Sequence, residues 1–338
     1  WIRTHADGPF FCFILFNDPH EPTTPSRQDL APFWPRALAA GAPDRTDFLE
    51  GVARWGAGPQ LGRMEDPRLP ANQAVLAAKL AVYDATIRQV DRAIGGLQAQ
   101  LDTWGLGPGT LVSVFSDHGE EFLDHAEFSR LWNHDPRPIH GIGHGHTLFQ
   151  ELLHVPWLAW GPGVPAGSRH RGPVSLCDLS PTLLRWLGLP QMEQPALVGR
   201  LSVPTPASLP TELSRLLTGH PVDPASEPTS RPDHDKEPFI LAEAIAFGPD
   251  LVMVRRGRWK LIATRAGQVL ALFDLQDDPR EERDIQNDNP DRVAELSAVL
   301  HAWRDSKTGA DGAGSTAGNW DDMDDEVRRR LRDLGYSD

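Results

Sequence analysis

Asp117 and His118 follow the apolar run "TLVSVFS" and are themselves followed by Gly119, Glu120 and Glu121. A hard carboxylate oxygen and an imidazole nitrogen at the end of a strand make a partial coordination sphere for a divalent cation. Two donors do not close a site. Either other loops supply the remainder, or the pair is simply a turn. A second concentration of imidazoles lies downstream, at His125, His134, His140, His144 and His146. The stretch "HGIGHGH" (140–146) could gather a zinc ion, because histidines close in sequence can converge; alternatively, these are loop residues of which one or two touch a substrate. The glycines at 141, 143 and 145 allow close backbone approach or a mobile loop. A third candidate is His20, in "NDPHEP", just beyond another apolar run.

The elements that must hold these residues can be read from the pattern. "PFFCFILFND" (9–18) is a continuous apolar run and is expected as a strand covered on both faces in a parallel sheet. From Leu76 the apolar residues Leu80, Tyr83, Ile87, Val90, Ile94, Leu97 and Leu101 recur at alternating steps of three and four, the stripe of one long helix. "TLVSVFS" (110–116) comes next as a second buried strand, so strand, helix and strand are expected to form a parallel crossover. His20 and the 117–118 pair then both fall just past strand ends, where open parallel sheets gather reactive groups. "VPWLAWG" (155–161) reads as a third strand and "SPTLLRWLG" (180–188) as a helix with Ser180 as N-cap and Gly188 past its end.

Residues 1–200 are thus expected as an α/β core with a mostly parallel sheet flanked by helices. A proline-rich connection over 201–237 contains one short helix around "TELSRLLTG". Residues 238–305 carry four closely spaced strand candidates, "FILAEAIA", "LVMVRRG", "RWKLIAT" and "LALFDL", and then the amphipathic "DRVAELSAVLHAW". That order predicts a small antiparallel sheet with a helix on one face. Residues 306–338 read as a spacer and a terminal helix with acids in its first turn and Gly335 at its end.

The 338 residues carry 47 Asp and Glu against 33 Lys and Arg, a formal charge of -14. This excess argues against a broad nucleic-acid or anionic-membrane surface, and an anionic substrate would need a local positive field such as a metal ion. No apolar run is long enough to span a bilayer, and no signal-peptide pattern stands at the start. Cys12 and Cys177 lie in apolar surroundings and are expected as small buried hydrophobes.

Six blocks taken in order, "FILFNDPHEPTTP", "YDATIRQVDRAIGGL", "TLVSVFSDHGEEFLDH", "GHGHTLFQELLHVPWLAWGPG", "VSLCDLSPTLLRWLGLP" and "RWKLI…ALFDLQDDPREERDI", resemble the later blocks of the sulfatases in the alkaline phosphatase superfamily. "RLRDLGY" near the end resembles the tail of many bacterial members. The resemblance implies a large α/β domain followed by a smaller four-stranded one. It further implies hydrolysis of sulfate esters by a formylglycine made from the cysteine of a Cys-x-Pro-x-Arg motif, beside one divalent cation, calcium first and magnesium or manganese next. By the same resemblance Asp117 and His118 ligate the cation, His20 faces the sulfate or leaving group, and His144 or His146 contacts the sulfate. A periplasmic or extracellular location is implied as well.

The block that would carry the nucleophile, its arginine and a pair of aspartates is expected upstream of these residues. Neither cysteine is followed by x-Pro-x-Arg. "TTPSR" mimics that motif with Thr23 in the nucleophile's place, but a proline-rich turn accounts for it better. The chain is therefore expected to be a carboxyl-terminal portion without activity of its own. Two alternatives stand beside sulfate hydrolysis: phosphate or phosphonate ester hydrolysis on the same scaffold, and a non-catalytic binding domain that keeps the fold.

Overall fold

The computed structural model describes residues 1–20, 22–53, 70–132, 141–170, 173–189, 239–244 and 250–308. The short helix expected around 211–219, the proline-rich connection, the terminal helix, His134 and His140 lie outside them. In chain order the helices are α1 (Ile2–His5), α2 (Arg27–Leu30), α3 (Trp34–Ala39), α4 (Thr46–Ala53), α5 (Pro70–Thr103), α6 (Ala126–Trp132), α7 (Gln150–Leu153), α8 (Leu179–Trp186) and α9 (Pro290–Thr308). The strands are β1 (Val112–Phe115), β2 (Glu121–Phe122), β3 (Ile142–Gly143), β4 (Trp157–Trp160), β5 (Phe239–Ala244), β6 (Leu251–Arg256), β7 (Trp259–Thr264) and β8 (Val269–Asp274). Two compact units divide the chain, one built on the first 110 residues and the other on most of the remainder.

In the first unit α5 is the spine. The helix expected from the apolar stripe is present and buries Leu101, but its closest packing in the first half uses residues outside that stripe. Ala78, Ala81 and Val82 pack against Trp34, Ala37, Ala42 and Val52, while Ile87 is exposed. Alanines let α3 approach closely, so small side chains rather than the leucines make this contact. The helix ends in a Schellman pair, with Leu106 N donating to Leu101 O and Gly105 N to Asp102 O, and Gly105 takes the left-handed φ of +71° that this turn requires.

The strand expected over 9–18 is not formed. Residues 9–17 have no regular structure, and Phe11, Phe13 and Leu15 are exposed. A strand needs a ladder partner for its N–H and C=O groups, and no described residue pairs with this run. The parallel crossover expected from it is therefore corrected too. Cys12, within the run, is exposed, as is Cys177, so neither is the buried hydrophobe expected.

In the second unit β1 and β4 pair antiparallel, from Val112 opposite Trp160 to Phe115 opposite Trp157. Trp157 Nε1 donates to Ser113 Oγ at 3.0 Å across this ladder. The helix expected at 180–188 begins at Leu179, because Ser175 caps the tight turn ahead of it, and Ser180 lies inside the helix rather than at its cap.

The four strands expected near the carboxyl terminus form one antiparallel sheet in the order β5-β6-β7-β8. Alternation along β6 sorts its residues to two faces. Val252 and Val254 join Leu261, Leu272, Leu296 and Leu300 under α9, whereas Leu251 and Met253 join Ile262, Phe273, Leu148 and Phe149 on the other side. A sheet buried on both faces makes a rigid platform, and Phe149 adjoins α7, which comes directly after the histidine loop.

Candidate metal centre

β1 delivers the chain to Ser116, whose N–H donates to Pro156 O at 3.3 Å and whose hydroxyl donates to His118 O at 2.6 Å. These bonds fix the bend that carries Asp117 and His118. Gly119 then runs against α7, its N–H donating to Leu152 O at 2.8 Å. A Cβ at position 119 would collide with the carbonyl oxygen of Glu151, so only glycine fits. Gly119→Ala is expected to force the 117–120 segment off α7 at a cost of about 1–3 kcal/mol. Denaturant unfolding of the variant measures that cost, and a midpoint unchanged from wild type would refute the close approach.

The imidazole of His118 donates from Nδ1 to Gly119 O at 2.7 Å. That bond fixes the tautomer and leaves Nε2 as a lone-pair donor, the arrangement commonly found behind metal-bound histidines. His118, Glu120 and His144 each present a ligand atom, all within 4.8 Å of one another. The rings of His118 and His144 stack at 3.8 Å, and His144 Nδ1 lies 2.9 Å from Glu120 Oε2. Two imidazoles and a carboxylate, partly buried, fit a divalent cation. The Asp117 carboxylate is 76% exposed, with Oδ1 3.8 Å from His118 Nε2, on the rim of this group. Glycines hold the histidine loop in shape, Gly143 at φ +97° and Gly145 at +77°.

Beneath the centre lies a buried acid and imidazole network. Glu121, fully buried, accepts from His125 N through Oε1 at 3.1 Å, and its Oε2 lies 2.7 Å from His146 Nε2. His146 is 1% exposed. Of the two histidines left open by the sequence, His144 belongs to the cation-capable group and His146 is buried against Glu121. His125 stacks on Phe149 at 3.7 Å, with Nδ1 2.6 Å from Glu151 Oε1 and Nε2 3.0 Å from Arg280 O. Burial alone would lower the His125 imidazole, but the bond to Glu151 and the charges of Glu151, Glu281 and Glu121 raise it above its ordinary value. Burial pushes the Glu151 carboxyl up in spite of His125.

His20 sits in the first unit. Its N–H donates to Asn17 O at 2.7 Å across a cis Asp18–Pro19 bond. Gln89 of α5 braces this turn, donating to Asp18 Oδ2 at 3.3 Å and accepting from Ser26 N at 3.0 Å. Thr23, the nucleophile mimic, is 1% exposed, consistent with a structural turn.

Sequence reasoning did not single out Glu120, Glu121 or Glu151. The signal for Glu120 was its spacing, since residues i and i+2 of an extended segment share a face, which sets Glu120 beside His118.

An α/β fold with a histidine and carboxylate centre fit for a divalent cation defines the class. Residues 1–189 match the Sulfatase family model, and the chain belongs to that family. Human arylsulfatase K is 28% identical over 230 residues, covering 66% of this chain and 36% of that protein. The zebrafish (Danio rerio) arylsulfatase K is 29% identical over 224 residues, again covering 66% of this chain and 36% of that protein. The chain thus spans little more than a third of the length of the curated relatives it matches. Among solved structures, BT4656, in complex with its substrate D-glucosamine-2-N,6-O-disulfate, aligns at TM-score 0.51 and 20% identity over 72% of this chain and 44% of that one. Ps i-CgsB aligns at TM-score 0.51 and 19% identity over 86% and 49%. These alignments show a shared α/β fold.

Proposed function

We propose that the intact protein is a metal-dependent hydrolase of sulfate esters, and that this chain supplies one side of its active site. The observation that carries the reading is the His118, Glu120 and His144 group, standing within a chain of the sulfatase family. His118 through Nε2, with Asp117 at the rim as the resemblance implies, would hold the cation, and Glu120 and His144 lie within reach of it. Calcium is the ion the resemblance implies, and the two imidazoles also suit manganese. When bound, the cation neutralises developing charge on the ester oxygens and lowers the nucleophile's pKa.

The remaining roles belong to side chains. By the family resemblance His144 would contact the sulfate, and His20 would face the sulfate or the leaving group, a task that suits imidazole near neutral pH. The formylglycine cysteine implied by the resemblance is not among these 338 residues, where only Cys12 and Cys177 occur. The nucleophile comes from elsewhere in the intact protein, and this chain alone is inactive. Substrates are small aryl or carbohydrate sulfate esters, reached outside the cytoplasm; no described helix is long and apolar enough to cross a membrane.

The intact protein should hydrolyse 4-nitrophenyl sulfate in preference to 4-nitrophenyl phosphate and phenylphosphonate esters. Chelation by EDTA should lower that turnover at least about a hundredfold, and added calcium or manganese should restore it. Turnover of the phosphorus esters alone would move the assignment to phosphate or phosphonate hydrolysis. Absence of turnover on all three by the intact protein would favour a binding domain.

A further inference from the structure

Hydrogen bonds through residues 280 and 281 join the carboxyl-terminal part of the chain to the loops that carry the metal centre, and Glu281 is itself tied to the sheet. Arg280 O accepts from His125 Nε2, Glu281 Oε2 accepts from Gln150 N at 2.6 Å, and Glu281 Oε1 pairs with Lys260 Nζ at 2.5 Å. Glu281 is fully buried and holds a left-handed φ of +57°, a conformation a glutamate keeps only where its surroundings impose it. On the other side, His125 reaches the centre by two routes. Its backbone N–H is taken by Glu121, the neighbour of Glu120, and Glu121 in turn holds His146, two residues after His144. Its Nδ1 meets Glu151, whose carbonyl lies where Gly119 passes α7.

We propose that His125 is a positioning residue that clamps the segment carrying His118 and Glu120 to the 280–281 turn, so that the carboxyl-terminal sheet sets the geometry of the metal centre. This rests on the reading of that centre as a cation site. A carbonyl can only accept, so Nε2 carries a proton, and Nδ1 shares a hydrogen bond with the Glu151 carboxyl at 2.6 Å. Both ring nitrogens are then engaged on opposite edges and the ring face is covered by Phe149. Glutamine can satisfy one of those two acceptors, never both along the same directions. A side chain that merely filled space would not need two acceptors on opposite edges of its ring.

The test compares wild type, His125→Gln, Glu151→Gln and the double variant in the intact protein, using manganese alone as the probe. Titration calorimetry should show manganese binding about tenfold weaker in each single variant, and the double variant should be no worse than the weaker single one, because the two residues act as one unit. Amide exchange should remain slow in β6 and β7, reporting an intact sheet, while Gly119 to His125 exchange about tenfold faster. The exchange arm needs no metal. Unchanged protection of Gly119 to His125 in His125→Gln overturns the clamp whether or not manganese binds. Faster exchange with manganese affinity within twofold of wild type also overturns it, since the clamp would then not govern the centre. Wild-type protein that binds no divalent cation counts against the metal reading, and the clamp is then decided by exchange.

Discussion

His118→Ala in the intact protein should lower kcat/KM for an aryl sulfate by about 10³-fold, which is about 4 kcal/mol of transition-state stabilisation. The imidazole is the one donor shared by both accounts of the metal site. Family resemblance pairs it with Asp117, and the structure groups it with Glu120 and His144. Its tautomer is already fixed by Gly119 O, so alanine removes a preoriented ligand rather than a mobile one. Substituting the carboxylates separates the two accounts. Asp117→Ala should match His118→Ala if the exposed carboxylate turns onto the cation, whereas Glu120→Gln should match it if the grouped carboxylate is the ligand. Loss of turnover in Asp117→Ala with Glu120→Gln within about tenfold of wild type would make Glu120 a supporting residue that orients His144. Wild-type turnover in His118→Ala, with the circular dichroism spectrum retained, would remove the metal assignment altogether.

How much could be read in advance depends on how far each contact reaches along the chain. Strands β5 to β8 and helix α9 were legible because each strand pairs with its neighbour in sequence and alternation marks both faces, as Val252 and Val254 do against Leu251 and Met253. Helix α5 was legible from its period, but the period did not reveal that alanines would form the buried contact, because that choice belongs to α3 and α4. The run at 9–18 misled for a related reason. Composition says that such a segment prefers burial, yet a strand exists only with a partner, and the partner is not written in the segment itself.

In the site, residues 117 and 118 were visible because neighbours in sequence share one bend. The acid partners were not. His125 meets Glu151 across 26 positions and Arg280 across 155, and nothing in a local pattern announces such pairings. His144 and His146 illustrate the limit most closely. Two residues apart in a glycine-rich loop, they end with opposite environments, because Glu120 and Glu121 alternate and draw one histidine to the partly open face and the other into the interior.

The buried pair beneath this arrangement should give the largest stability effect. Lys260 and Glu281 are both fully buried, 2.5 Å apart, with Lys260 Nζ 3.5 Å from Gln150 Oε1 and 5.9 Å from the centre of the Phe149 ring. Burial pushes the Lys260 ammonium below its ordinary range, against the pull of Glu281. Lys260→Met would leave a carboxylate in the interior with the Gln150 N–H as its one hydrogen-bond donor among the described residues, and should destabilise by about 3–5 kcal/mol. Glu281→Gln should cost less, because the lysine left behind can shed its proton, whereas the glutamate must either gain one or stay charged. The asymmetry is the informative quantity. Lys260→Met combined with Glu281→Leu should recover much of the loss in denaturant unfolding, since a well-packed apolar pair can replace a buried ion pair. It should not recover manganese affinity, because an aliphatic side chain cannot accept from Gln150 N, and α7 would lose its tie to the turn that His125 grips. Stability and metal affinity recovered together would mean that the ion pair only fills the core; stability recovered without affinity would mean that evolution kept the charges for the geometry they impose.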